Sequence, residues 1–199
     1  SRSCSASTLF TATRPPSRFR WARAASWDLD AIRLGAHVAA REAAASGIHW
    51  TFAPMVDVGR DPHWGRVMEG AGEDIYLGAQ IAKARVLGFQ GEKLGGADAI
   101  MACAKHFAAY GAALTGRDYN AVDMSEQQLW EIYLPPFKAA ADTSVATFMN
   151  SFNTLNGIPA TGNAYLQRDI LKGKWAIPRL RGELLGLHWR ADELGLRDG

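Results

Sequence analysis

The chain has 199 residues, 48% hydrophobic, 10% aromatic and 21% charged, with 22 basic against 20 acidic side chains and a formal charge of +2. That composition excludes a disordered, collagenous or disulfide-rich chain, and the length is short for a closed eight-unit β/α barrel, which takes about 250 residues. The near balance of charge leaves no electrostatic footprint for nucleic acid, and no apolar run approaches the roughly 18 residues of a membrane span.

Residues 1–24 are rich in Ser, Arg, Thr and Pro, show no period of 2 or 3.6, and read by themselves as a disordered basic arm. The first ten, SRSCSASTLF, hold no continuous apolar core of the kind a signal peptide needs. From Trp27 the character changes. Asp28 caps an expected helix whose apolar positions Leu29, Ile32, Val38 and Ala39 share a face, and Gly47 provides the stop. In HWTFAPMVDVG the apolar residues Trp50, Phe52, Met55, Val56 and Val58, interrupted by Pro54, predict a buried strand ending near Asp57. The polar loop RDPHWGRVMEGAGED follows, long enough to suit function more than a tight connection.

Helical spacing returns from Asp74 to about Gly88, with Ile75, Leu77, Ile81, Ala82, Val86 and Leu87 as its apolar positions. Ala99 to Ala104 is the next apolar run, closing on Lys105 and His106, and Ser125 begins a capped helix that Pro135 and Pro136 must kink or interrupt. Ser144 to Met149 predicts a further strand ending at Asn150 and Phe152, before a GN turn and a helical stretch from Ala164 to Lys172. Strand and helix alternate with the strands fully apolar, which predicts an α/β fold: a parallel sheet covered by helices, doubly wound or a barrel. Three or four such units are about half a barrel.

In a β/α barrel the working residues stand at the carboxyl ends of strands. Here those are Asp57 through Arg66, then Lys105 and His106, then Asn150 and Phe152. Arg, Lys and His donors beside Trp64 and Phe152 suit a polyhydroxylated ligand, whose hydroxyls take hydrogen bonds and whose apolar face stacks on rings, so a sugar is the expected ligand class. Plainer readings stand beside these. Arg66 is equally a solvated charge or the partner of Glu69 or Asp74, and Phe152 on spacing alone reads as core. Lys105 is harder to treat as structural, because lysine rarely lies deep without a partner. GAGED lacks GxGxxG spacing and follows no strand, which argues against a phosphate loop. Cys4 and Cys103 are the only cysteines and offer neither a disulfide framework nor metal-ligand spacing.

The runs FAPMVDVGRDPHWGRVMEGAGED, CAKHFAAYG, GRDYN, VDMSEQQLWEIYLPPFKAA and FMNSFNTLNGIPATGN, in that order, resemble the amino-terminal barrel domain of glycoside hydrolase family 3, of the bacterial β-glucosidase type. The resemblance covers residues 25–175 and implies a partial (β/α)8 TIM-type barrel from a retaining glycosidase. Such an enzyme uses a barrel-borne aspartate nucleophile and a glutamate acid/base from a later domain, with no metal or organic cofactor. Double displacement needs the two carboxylates about 5 Å apart. By position the resemblance makes Arg66, Lys105 and His106 donors to the hydroxyls of the sugar being cleaved, and places Phe152 where many members have a tyrosine. The continuation AAYG after KHF, in place of PGHG, favours glucosidase-like members over those that cleave N-acetylglucosaminides.

The two ends depart from that pattern. Back-translated and read one base later, residues 176–199 allow Phe-Arg-Gly-Phe-Val-Val-Ser-x-Trp, similar to the family's nucleophile segment but with x unable to be aspartate. Read two bases later, residues 1–23 allow the family's segment before AASWD. The expected organisation is therefore an out-of-frame or disordered arm over 1–24, the partial barrel over 25–175, and an out-of-frame tail over 176–199. The resemblance implies hydrolysis of β-glucosidic bonds in small saccharides or aryl β-glycosides by the intact member, weakly favours a periplasmic or secreted setting, and leaves oligomeric state open. Neither catalytic carboxylate falls within these residues, so the chain is expected to be inactive. Its half barrel is expected to expose two strand edges that favour aggregation. The alternative is a non-catalytic sugar-binding or interaction fragment.

Overall fold

The computed structural model describes residues 24–177; the expected arm, apart from its last residue, and nearly all of the tail lie outside the described residues. Helix α1, Leu29–Ala45, begins as expected, with the Asp28 carboxylate accepting the Ala31 N–H at 2.9 Å, and the chain leaves it through Gly47 at φ 79°. Its buried face differs from the expected one. Ile32, Ala36, Ala40 and Ala43 are buried, while Val38 is 42% exposed, because the neighbouring helix approaches along the alanine row.

That neighbour is α2, Ile75–Gln90, capped by Asp74, whose carboxylate accepts the Leu77 N–H at 2.7 Å. Gly88 does not end this helix. It lies inside it at the crossing with α1, where a Cβ would stand 2.5 Å from the Ala36 Cβ and from the Arg33 carbonyl oxygen. Gly91, at φ 61°, is the actual stop.

Three segments run parallel. Residues 49–56 lie beside β1, Cys103–Phe107, through bridges at Trp50–Met101 and Met55–Lys105, and β1 pairs in parallel with β2, Thr147–Asn150. The first is broken into bridges because Pro54, joined to Ala53 by a cis bond, has no N–H to donate; the Ala53 and Pro54 carbonyls still accept from Cys103 and Lys105. Strand β1 starts later than expected and contains Lys105 and His106 instead of ending before them. Strand β2 likewise starts late, since Ser144 takes a left-handed φ of 58° after the preceding helix.

That helix begins at Ser125 as expected, as the single turn α3, Glu126–Gln128, passes through a π-helical stretch at Leu129–Tyr133, and resumes as α4, Pro135–Asp142. The two prolines sit at its start, where the missing N–H costs nothing. After β2, a two-residue hairpin of β3, Thr154–Leu155, and β4, Ile158–Pro159, precedes a π-helical segment at Tyr165–Lys174 in the place of the expected helix.

Helix α1 packs on α2 and α2 on α4, and the core beneath joins Val56, Ala102, Ala104, Phe107, Phe137 and Ile170 from helices and strands alike. Parallel strands linked by outer helices, with one continuous core between, form an arc of a (β/α)8 barrel.

Candidate functional site

The carboxyl ends of the three parallel segments meet at one place. Between Lys105 and Phe107 the register on β2 slips, Lys105 facing Met149 and Phe107 facing Asn150, so His106 has no opposite number. Strict alternation would send neighbouring strand residues to opposite faces. A bulge re-aims a side chain, and here Lys105 and His106 serve the same cluster. The peptide bonds Lys105–His106 and Phe107–Ala108 are both cis.

Asp57, where the first segment ends, is 3% exposed. Its Oδ2 accepts the His106 backbone N–H at 2.9 Å and lies 3.0 Å from His106 Nδ1. A lone aspartate inside the apolar run MVDVG signals a partnered carboxylate, and this is the partner.

The loop after Asp57 folds back through a 3₁₀ turn at Val67–Glu69. The turn places Glu69 against Arg66 in a two-point grip, Nε to Oε1 at 2.7 Å and Nη2 to Oε2 at 3.0 Å. Lys105 Nζ stands 3.7 Å from the same Oε2. Arg66 is therefore both the partner of Glu69 and a member of the cluster. Hydrogen bonding to Glu69 drives the Arg66 guanidinium further into its charged form. Burial would raise the Glu69 carboxyl, but the Arg66 hydrogen bond and the Lys105 and Arg66 charges outweigh it and hold Glu69 below its ordinary value. Burial pulls the Lys105 ammonium down, and Glu69 only partly restores it. The result is two half-buried cations fixed in direction by one carboxylate.

Rings close the cluster. Tyr110 lies 5.1 Å from the His106 ring and 5.7 Å from Phe152, with the Arg66 guanidinium 5.7 Å over its face. Its hydroxyl donates to Asp118, as does Trp64 Nε1 at 3.2 Å, and burial followed by that carboxylate pushes the phenol up. Gly111 lets this loop press onto the first segment, since a Cβ there would fall 2.2 Å from the Val58 carbonyl oxygen.

Two ring expectations are corrected. Trp64 is 1% exposed and packs with Met55 and Tyr110, so it presents no face for stacking. Phe152 is not core: it is 52% exposed, 5.8 Å from the His106 ring and 5.1 Å from the exposed Tyr119. The four expected site residues Arg66, Lys105, His106 and Phe152 do come together, linked through Glu69 and Tyr110. Reasoning from residues had not singled out Glu69, Tyr110, Asp118 or Tyr119 for this cluster. Glu69 carried a signal, standing three residues after Arg66; Tyr110, Asp118 and Tyr119 lie within the runs CAKHFAAYG and GRDYN, but nothing local ties them to this cluster. Cys103 is free and buried, and burial pushes its thiol up to about 11.

Among the described residues no helix is long and apolar enough to cross a membrane, and no group of three His, Cys, Asp or Glu could hold a metal ion. The chain is 47% identical over 152 residues to a periplasmic beta-glucosidase of Salmonella typhimurium, covering 76% of this chain and 20% of that protein. It is 38% identical over 155 residues to a beta-xylosidase of Formosa agariphila, covering 76% of this chain and 21% of that one. Among solved structures, the beta-glucosidase from Listeria innocua in complex with glucose superposes with a TM-score of 0.78 at 46% identity, over 79% of this chain and 22% of that one. The chain thus spans about a fifth of the length of these relatives. The glycosyl hydrolase family 3 N terminal domain matches residues 6–179, and with the partial barrel and these similarities it follows that the chain belongs to that family of glycoside hydrolases.

Proposed function

We propose that residues 25–175 form the sugar-binding wall of a retaining β-glucosidase barrel. Arg66, Lys105 and His106 take the hydroxyls of the glucose unit at the non-reducing end of a small saccharide or aryl β-glucoside, and Phe152 lies beside its ring. One observation carries this reading: two half-buried cations, a buried imidazole and an exposed aromatic ring converge at the carboxyl ends of parallel strands. Polar groups held in place by Glu69 and Asp57 give up little orientational freedom on binding, which is what a hydroxyl-rich ligand competing with water requires. Phe152 has no hydroxyl to offer, so ligand contacts at that position are apolar.

The 199 residues alone are proposed to bind without turning over, because double displacement needs a nucleophile and an acid/base and neither is assigned within them. Residues 176–199 read as an out-of-frame tail, and residues 1–24 as an out-of-frame or disordered arm. The periplasmic relative favours an exported setting. The test is a thermal melt with and without glucose, alongside an assay on p-nitrophenyl β-glucoside. A glucose-dependent rise in Tm that Lys105→Met removes is expected, with no release of nitrophenol. No rise at any glucose concentration sinks the sugar site, and nitrophenol release that Lys105→Met abolishes sinks the inactivity.

A further inference from the structure

Asp57 uses one oxygen twice on the same neighbour. Its Oδ2 takes the His106 backbone N–H at 2.9 Å and meets ring Nδ1 at 3.0 Å, while Oδ1 is buried without a hydrogen-bond partner. A carboxylate accepts and does not donate, so Nδ1 must carry a proton. The ring lies beside Tyr110 at 5.1 Å and Phe152 at 5.8 Å, and the His106 and Asp57 side chains are 2% and 1% exposed, so the Nδ1 contact to Asp57 is shielded from water. Among the described residues His106 Nε2 makes no hydrogen bond. A neutral ring with its proton on Nδ1 has a lone pair on Nε2.

Arg66 and Lys105 can only donate. The three groups assigned to the sugar therefore combine two donors with one acceptor. We propose that Asp57 is a positioning residue that holds His106 in the tautomer whose Nε2 accepts, so that the sugar hydroxyl meeting it must donate. The consequence is a selection rule. At that one hydroxyl, fluorine is refused, because it has no proton to give and sets its electrons against a lone pair. A site built to bond a hydroxyl rejects the analogue that lacks it. The selection rule rests on the sugar reading above; the tautomer does not.

Long-range proton–nitrogen NMR on the uniformly ¹⁵N-labelled chain at mildly alkaline pH reads the tautomer directly, with His106→Gln identifying its signals. Expected are a protonated Nδ1, its proton protected from exchange, and a pyridine-type Nε2. An Nε2–H ring, a rapid mixture of both forms, or an imidazolium overturns the proposal. Asp57→Asn offers Nδ1 a donor as well as an acceptor, and is expected to populate the Nε2–H form; an unchanged tautomer in a folded Asn variant overturns the positioning role. Where that variant does not fold, protection of the wild-type Nδ1 proton carries the test, and rapid exchange overturns it.

The second arm titrates glucose and its monofluoro-deoxy analogues. One positional isomer is expected to bind about tenfold more weakly than glucose, the worth of one lost hydrogen bond. Uniform binding across the isomers overturns the selection rule. Absence of glucose binding beside the expected tautomer overturns the sugar reading and the selection rule together, and leaves the positioning by Asp57 standing.

Discussion

Glu69 holds two cations, Arg66 by two hydrogen bonds and Lys105 at 3.7 Å, and this division of labour separates stability from function. Glu69→Gln removes the charge from the grip on Arg66, and a loss of about 2 kcal/mol in chemical denaturation is expected, as for hydrogen bonds to charged groups. The pH dependence follows from the same residue. Because Glu69 in the folded chain lies below its ordinary 4.5, its contribution is present above about that pH and is lost as pH falls through the folded value. The acid limb of the stability profile should therefore be shallower in Glu69→Gln than in the wild type, and equal limbs would contradict the assignment. Lys105 is the opposite case. Burial works against its ammonium more than Glu69 at 3.7 Å and the farther Asp57 favour it, so Lys105→Met should leave stability unchanged or raised while abolishing glucose binding in calorimetry. A variant that loses stability and binding in parallel would make Lys105 structural.

At the scale of elements, the crossing of α1 and α2 is set by a missing side chain. Gly88→Ala puts a methyl group 2.5 Å from the Ala36 Cβ, and overpacking of that kind costs about 1–3 kcal/mol. Gly78, ten residues earlier in the same helix, has only the Pro136 Cγ at 3.8 Å in its way. Gly78→Ala should stabilise by about 0.5–1 kcal/mol through helix propensity alone. Opposite signs for the same substitution in one helix, read from denaturation midpoints, are the expected result. Equal signs would place the close approach elsewhere.

For the whole molecule, the arc matters more than its parts. Among the described residues, segment 49–56 and β2 each pair on one side only, leaving two outward edges of a parallel sheet. Edges of that kind template further pairing. Concentration-dependent association by light scattering is therefore expected, and glucose should lessen it if the sugar site is formed only in the folded arc. A chain that stays monomeric at every concentration and melts in one cooperative step would show that the edges are covered.

Local chemistry was legible in the sequence. Asp28 and Ser125 cap helices where side-chain oxygens meet free N–H groups, helical spacing returns at Asp74, the proline pair interrupts the helix begun at Ser125, and apolar runs mark the parallel strands, because each of these depends on a few neighbouring residues. Arg66, Lys105, His106 and Phe152 could likewise be singled out from strand ends and motif order. What the sequence left open depends on residues far apart in it. The buried face of α1 follows from α2 arriving along its alanine row, and Gly88 is a crossing point only because α1 is there. Asp57 meets His106 across 49 residues, and Phe152 stands free while Trp64 is enclosed, since burial is set by what the folded chain lays on top. Hydrophobic spacing specifies which residues leave water; only the tertiary structure decides against what they pack, and therefore which charged groups share a site.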